Sequence, residues 1–198
     1  MKVVFFIIVS LITTPIFAQH FEGKIVFHNS YKSKSVETPS EYLSQLFGSI
    51  HTYEIKKENY KLSSNGELLQ WQIYLRQENK LFTKLAAADK LGVKDLDKDA
   101  EKVQNAVVNR KSVEILNHLC DEFIIQCKKS TQKYYLDSSL NINPEIFKTS
   151  KFNYQLAFLL KNQIVPLKME IEDNMGFCES IAVEVKVEKI DENIFVMK

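Results

Sequence analysis

The last quarter of the chain alternates apolar and polar residues more regularly than any other stretch. Val165, Leu167, Met169 and Ile171 fall on every second position, "DNMG" interrupts, and Phe177, Ile181, Val183, Val185 and Val187 follow, with Glu184, Lys186 and Glu188 between them. A period of two is the signature of a strand with one buried face, because successive side chains point to opposite sides of the sheet. Two such runs joined by a tight turn predict an antiparallel hairpin. This pattern commits the chain to a sheet with an apolar and a polar face.

The same grammar recurs upstream. "FEGKIVFHNSY" (21–31), "SIHTYEI" (49–55), "YKLSS" (60–64) and "KLFTKLA" (80–86) read as strands. Leu69, Trp71, Ile73 and Leu75 alternate with Gln70, Gln72, Tyr74 and Arg76. Asn65–Gly66 reads as a hairpin turn, since both residues tolerate positive φ. "KVQNAVVNR", "SVEILNHLCDEFIIQCK" and "KYYLDSSL" continue the meander, and "DENIFVMK" reads as a final edge strand. Two segments break the pattern. "TPSEYLSQLFG" predicts a helix with Thr38 at the N-cap, Pro39 at the first helical position, Glu41 closing a capping box and Gly48 as the stop. "NINPEIFKTSKFNYQLAFLLKN" predicts a second helix opened by Pro144 and running to Leu160. Asp89 to Lys102 is charged throughout and reads as a surface loop.

The first eighteen residues read as a signal peptide. Lys2 precedes the apolar run "VVFFIIVSLI", and "TTPIFA" ends on the small residue Ala18. The run is shorter than the roughly 20 residues that span a bilayer. No cysteine follows it to take a lipid anchor. The expectation is cleavage before Gln19 and export to the periplasm or beyond, with no transmembrane span left. The remaining 180 of 198 residues then form a single domain, 19–198. Without Lys2 that domain carries 25 basic and 25 acidic residues, and only two of the basic ones are arginine. A neutral, arginine-poor chain lacks the footprint of a nucleic-acid binder.

The stretch that looks most like chemistry is "NHLCDEFIIQC", with His118, Cys120 and Cys127. On a regular strand Cys120 and Cys127 have opposite parity, so the three cannot converge on one metal. The spacing is also wider than zinc pairs use, and no Cys-x-x-Cys is present. His118 and Cys120 share a face but stand roughly 7 Å apart, which is long for a nucleophile and its base. If a disulfide forms, Cys178 is the expected partner. Asp95-x-Asp97-x-Asp99 starts like a calcium loop but has Ala100 and Ala106 where glycine and glutamate belong. Gly-x-Ser-x-Gly, His-Glu-x-x-His and phosphate-loop motifs are missing. No catalytic residue, metal or cofactor is expected.

Several stretches together carry a resemblance: "FEGKIVFH", "YLRQENKLFTK", "VEILNHLCDEFIIQCKKSTQKYYLDSSLNINPEIFK", "VPLKMEIE" and "KIDENIF". They resemble uncharacterised exported proteins of Gram-negative bacteria whose fold is similar to the outer-membrane lipoprotein carriers and lipoprotein-binding half-barrels. The resemblance implies a mainly β, α+β architecture: a strongly curved antiparallel sheet, open like a half-barrel, with helices packed on the concave side. It assigns no reaction. The expectation is a non-catalytic envelope protein that binds a lipid, an acyl chain or another hydrophobic ligand in the concave face. Trp71, Ile73, Leu167, Met169, Ile181 and Val183 would line that face under the second helix. The alternative is an interaction or scaffold module that meets another envelope protein and has a filled core.

Overall fold

The structure, a computed structural model, describes residues 21–96, 101–140, 151–152, 159 and 164–197. Among the described residues twelve strands follow one another: β1 (Gly23–Ser33), β2 (Ile50–Lys56), β3 (Asn59–Ser64), β4 (Leu69–Leu75), β5 (Lys80–Leu85), β6 (Gly92–Asp95), β7 (Glu101–Ile115), β8 (His118–Cys127), β9 (Ser130–Asp137), β10 (Lys151–Phe152), β11 (Lys168–Asp173) and β12 (Gly176–Val187). A helix, α1 (Ser40–Phe47), lies between β1 and β2. Eleven strands form one antiparallel sheet in the order β7-β8-β9-β11-β12-β1-β2-β3-β4-β5-β6, and the two-residue β10 pairs outside β7. The sheet is open. The mainly β, antiparallel architecture is as the alternation required.

The core runs along one face. Ile55, Tyr60, Tyr74 and Leu81 stand across from one another on β2 to β5. Phe27, Tyr53, Tyr60 and Tyr74 form a relay of rings with centroids 5.4, 5.7 and 5.6 Å apart, within the range where aromatic pairs attract. On the other half of the sheet Phe123 faces Tyr134, and Tyr134 faces Met169. All belong to one contiguous buried cluster reaching from Leu81 to Val103.

Several elements depart from the sequence reading. β6 occupies the charged stretch expected to be loop, pairing Lys80↔Asp95 to Thr83↔Gly92. A four-residue strand at a sheet edge needs no apolar alternation, because little of it is buried. β7 and β8 are joined at Leu116–Asn117, whose φ values of 49° and 63° are those of a two-residue type I′ turn. Asn117 is suited to that conformation and Leu116 is not, so local composition hid the turn. Asn65–Gly66, by contrast, is part of a longer loop, 65–68, and neither residue has positive φ. Asp191–Phe195 is not an edge strand: Glu192–Phe195 form a 3-10 turn capped by Asp191, which accepts from Asn193 N. Lys151–Phe152 are strand, so no single helix runs from Pro144 to Leu160. Leu159 is helical and buried, while residues 141–150, 153–158 and 160–163 lie outside the described residues, as do the signal-peptide positions.

Candidate functional site

The site begins with how α1 ends. Gly48 takes φ 92°, in the left-handed region that glycine tolerates, and stops the helix as expected. The expected capping box is absent: Pro39 is the N-cap, and no side chain bonds the first turn. The two ends are therefore held very differently. An α-helix leaves its last four carbonyls without intrahelical donors, and here every one is met from the sheet or from the 65–68 loop. Gln45 O accepts from Glu67 N at 2.7 Å and Leu46 O from Leu68 N at 3.0 Å. Phe47 O accepts from Ser64 Oγ at 2.5 Å and from His51 Nε2 at 2.8 Å. Gly48 O accepts from Tyr31 OH at 3.1 Å and Asn29 Nδ2 at 3.4 Å. Burial holds His51 below its usual range, so its imidazole is neutral at pH 7 and Nε2 carries the donated proton. This is what Gly66 is for. A Cβ there would lie 2.5–2.6 Å from Leu46 O, Gly48 N and Phe47 C, so only glycine lets the 65–68 loop reach the helix end.

Between α1 and the sheet lies a groove of about 470 Å³, within the usual size of small-molecule sites of about 300–1,000 Å³. Leu43 and Phe47 of α1 form one wall. Tyr31, Cys178 and Ile171 form the floor; they pair across β1, β12 and β11, in line with the buried Gln132 of β9, so the floor continues the core face. Ser33, Ser35, Thr38, Asp173 and Asn174 supply a polar rim, and Met175 stands exposed on it. Two loops close that end: Lys34 N donates to Met175 O, and Lys34 Nζ donates to Glu172 Oε1 at 2.8 Å. Burial pushes the Cys178 thiol up to about 11, so it lines the groove as a neutral group.

The six residues expected to line one apolar surface separate into groups. Leu167 (0 % exposed) and Met169 (8 %) lie in the buried cluster. Ile181 packs against that cluster, half-buried. Val183 is 41 % exposed, at a bulge where β12 slips against β1. Trp71 and Ile73 belong to the opposite face: Ile73 stands across from Lys61 and Phe82, while Tyr74 and Gln72 take the core side. The expected order on β4 is thus inverted. Both faces of this strand carry large apolar side chains, and the ring relay through Tyr60 decides for Tyr74. Leu69 returns to the core cluster across a register shift between Leu69 and Trp71. Of the groove residues, the sequence reading had Ile171 and Phe177 in the closing alternation and did not join them to α1.

The cysteines fit the strand reading. The β8–β9 register runs unbroken from Cys120 to Gln126, so Cys120 and Cys127 keep opposite parity, although both are buried. No disulfide joins any of the three. Cys178 is not a neighbour of either: β12 lies three strand spacings from β8, about 14 Å, and direct pairing needs Cα atoms under about 7 Å. Cys120 Sγ donates to His118 O at 3.4 Å. Burial, with Asp137 and Asp121 beside it, pushes its thiol up to about 11, so it is not the thiolate a nucleophile requires. His118 Nδ1 is 2.7 Å from Asp137 Oδ2. No cluster of three or more metal-ligating side chains occurs among the described residues. Of the calcium-like run, Asp97 and Asp99 lie outside them.

One polar network bridges four strands on the face away from Tyr134. Tyr135 OH lies 3.0 Å from Glu122 Oε1 and 3.2 Å from Glu170 Oε1. Lys168 bonds Glu170 at 2.8 Å and Glu179 at 2.7 Å, with its ammonium 5.1 Å from the Tyr135 ring centre. Burial raises the Glu122 and Glu170 carboxyls, but bonds from Asn109 and Tyr135 to the first and from Lys168 to the second outweigh it, leaving both below the ordinary 4.5. Their side chains are only 14 % and 13 % exposed, so solvent screens them little. A carboxylate depressed by folding stabilises above its unfolded pKa and loses that contribution as pH falls. Thermal stability should therefore drop as pH is lowered below about 4.5. Glu170→Gln should flatten that drop; a melting profile between pH 6 and pH 3 with the same slope for both proteins would disprove the assignment.

The chain is thus a mainly β protein on one open antiparallel sheet, with an apolar groove where α1 crosses the end of the core face. Comparison with models of known protein families and with curated proteins found no match. Among the described residues no helix is long and apolar enough to cross a membrane.

Proposed function

We propose that this is a non-catalytic, exported envelope protein that binds a lipid or similar hydrophobic ligand against the concave face of a half-barrel. The groove under α1 carries this reading. It is lined mainly by apolar side chains, has a polar rim at one end, and holds no activated nucleophile among its described lining residues. Each methylene of an acyl chain buried there contributes about 0.8 kcal/mol, so a long chain binds without a buried charged anchor.

Strong curvature is supported by chain reach. Eleven strands laid flat about 4.8 Å apart would hold β6 and β7 about 48 Å from each other. Yet β6 ends at Asp95 and β7 starts at Glu101, and six residues span at most about 22 Å. The sheet must curl to bring its edges that close. The ligand site sits at the mouth of that curve, because Leu167 and Met169 fill its middle.

A fluorescent fatty acid offered to the purified protein tests the proposal. Wild type should bind it saturably, and Leu43→Asp should weaken binding at least about tenfold, since a carboxylate in an apolar groove lacks a partner. Because α1 has no fully buried side chain, the variant should still fold. Failure of the wild type to take up the probe, with a second envelope protein co-purifying in native mass spectrometry, would replace the ligand reading by the scaffold reading.

A further inference from the structure

We infer that α1 is a flap: its C-terminal end is a fixed pivot, and its N-terminal end swings to open the groove. This rests on the ligand reading for its purpose but not for its geometry. At the pivot the carbonyls of residues 45 to 48 receive six hydrogen bonds from β1, β2, β3 and the 65–68 loop. Those donors lie on four separate pieces of chain, so no single local fluctuation releases them together. The other end of the helix itself has one tie of this kind, Ser33 N donating to Ser40 Oγ at 3.0 Å; the bonds of Lys34 to Met175 O, Glu172 and Asp173 O hold the end of β1, ahead of the segment that moves.

Nothing on α1 is fully buried, so lifting it exposes little new apolar surface. The approach to the helix, 34–39, is exposed along most of its length and includes Val36 at 98 % exposure. Segments with few buried contacts and exposed backbone open at low free-energy cost. The groove lies where such a swing has effect. Ser35, Thr38 and Leu43 belong to the free half, and the β11–β12 turn at Asn174 and Met175 forms the opposing lip. A tilt of the first turns about the fixed last turn, 45–48, would part these lips and leave the sheet untouched.

Cys178 is a native reporter. It lines the groove, whereas Cys120 and Cys127 are buried in the core. A maleimide with a bulky polymer tail should label Cys178 well before the other two, with the rate following flap opening. Ser40→Ala removes the tie at the free end and should raise that rate about fivefold, the worth of one ordinary hydrogen bond, leaving Cys120 and Cys127 rates unchanged. Leu43→Ala, which trims the wall of the free half, should act in the same direction. If neither variant changes the Cys178 rate, or if all three cysteines accelerate together, labelling reports global unfolding and the flap is wrong. If the variants behave as stated while wild type takes up no fatty acid, the flap stands and the ligand reading falls.

Discussion

Met169→Lys should leave the protein without a cooperative thermal unfolding transition at room temperature and above. Met169 stands across from Tyr134, which is completely buried, and is itself 8 % exposed within the core cluster. Gln132 and Tyr134 next to it on β9 offer no counter-charge; the hydroxyl of Tyr134 is already bonded to Gln132 Oε1 at 3.0 Å. An ammonium placed there must either remain charged without a partner, at a cost of several kcal/mol, or give up its proton. Domains of this size are stable by only about 5–15 kcal/mol, so a penalty of that order is decisive. Circular dichroism melts are the measurement. A variant that keeps its transition within a few degrees of wild type would mean that the middle of the core face has room for a solvated group, and the site would then extend inward from the groove.

Gly66→Val should detach α1 while sparing the sheet. The three closest atoms to the new Cβ are backbone atoms of Leu46, Phe47 and Gly48, at 2.5–2.6 Å, so no side-chain rotation relieves the clash. The 65–68 loop and the helix end cannot both stay in place, and the bonds from Glu67 N and Leu68 N to α1 are lost together. The strands β3 and β4 pair with each other through residues 60–63 and 71–74, away from the clash, so the β signature should persist. Limited proteolysis should cut between residues 34 and 48 at least about tenfold faster than in wild type, since cleavage follows the population of the open form. Binding of the fatty-acid probe should be lost with it. Unchanged cleavage would show that the helix is held by something other than this clamp.

Much of the fold was legible because strands and turns write themselves locally. The strands at 168–173 and 176–187 and the glycine stop of α1 appear where the residues demand them. The opposite parity of Cys120 and Cys127 followed from counting along one strand, and the register upholds it. The misses have a common origin. Leu116–Asn117 turns tightly although leucine dislikes positive φ, because the long pairing of β7 with β8 imposes it. Asn65–Gly66 has the composition of a hairpin turn, yet its glycine serves a close approach to a helix some twenty residues earlier in the chain.

By itself, then, the sequence determined an antiparallel sheet and a short helix ending at Gly48, since each of these depends on residues within a few positions of one another. Only the tertiary structure decided which side of β4 faces the core, because both sides are apolar and the choice belongs to Tyr60 and Phe82 on neighbouring strands. It alone brought Tyr31, Ile171 and Cys178 into one floor, since they sit on three strands whose order departs from the chain order. It alone set four carbonyls of α1 against donors from β1, β2, β3 and a loop. A groove made by long-range pairing leaves no local period in the sequence, and so it became visible only once the strands were in register.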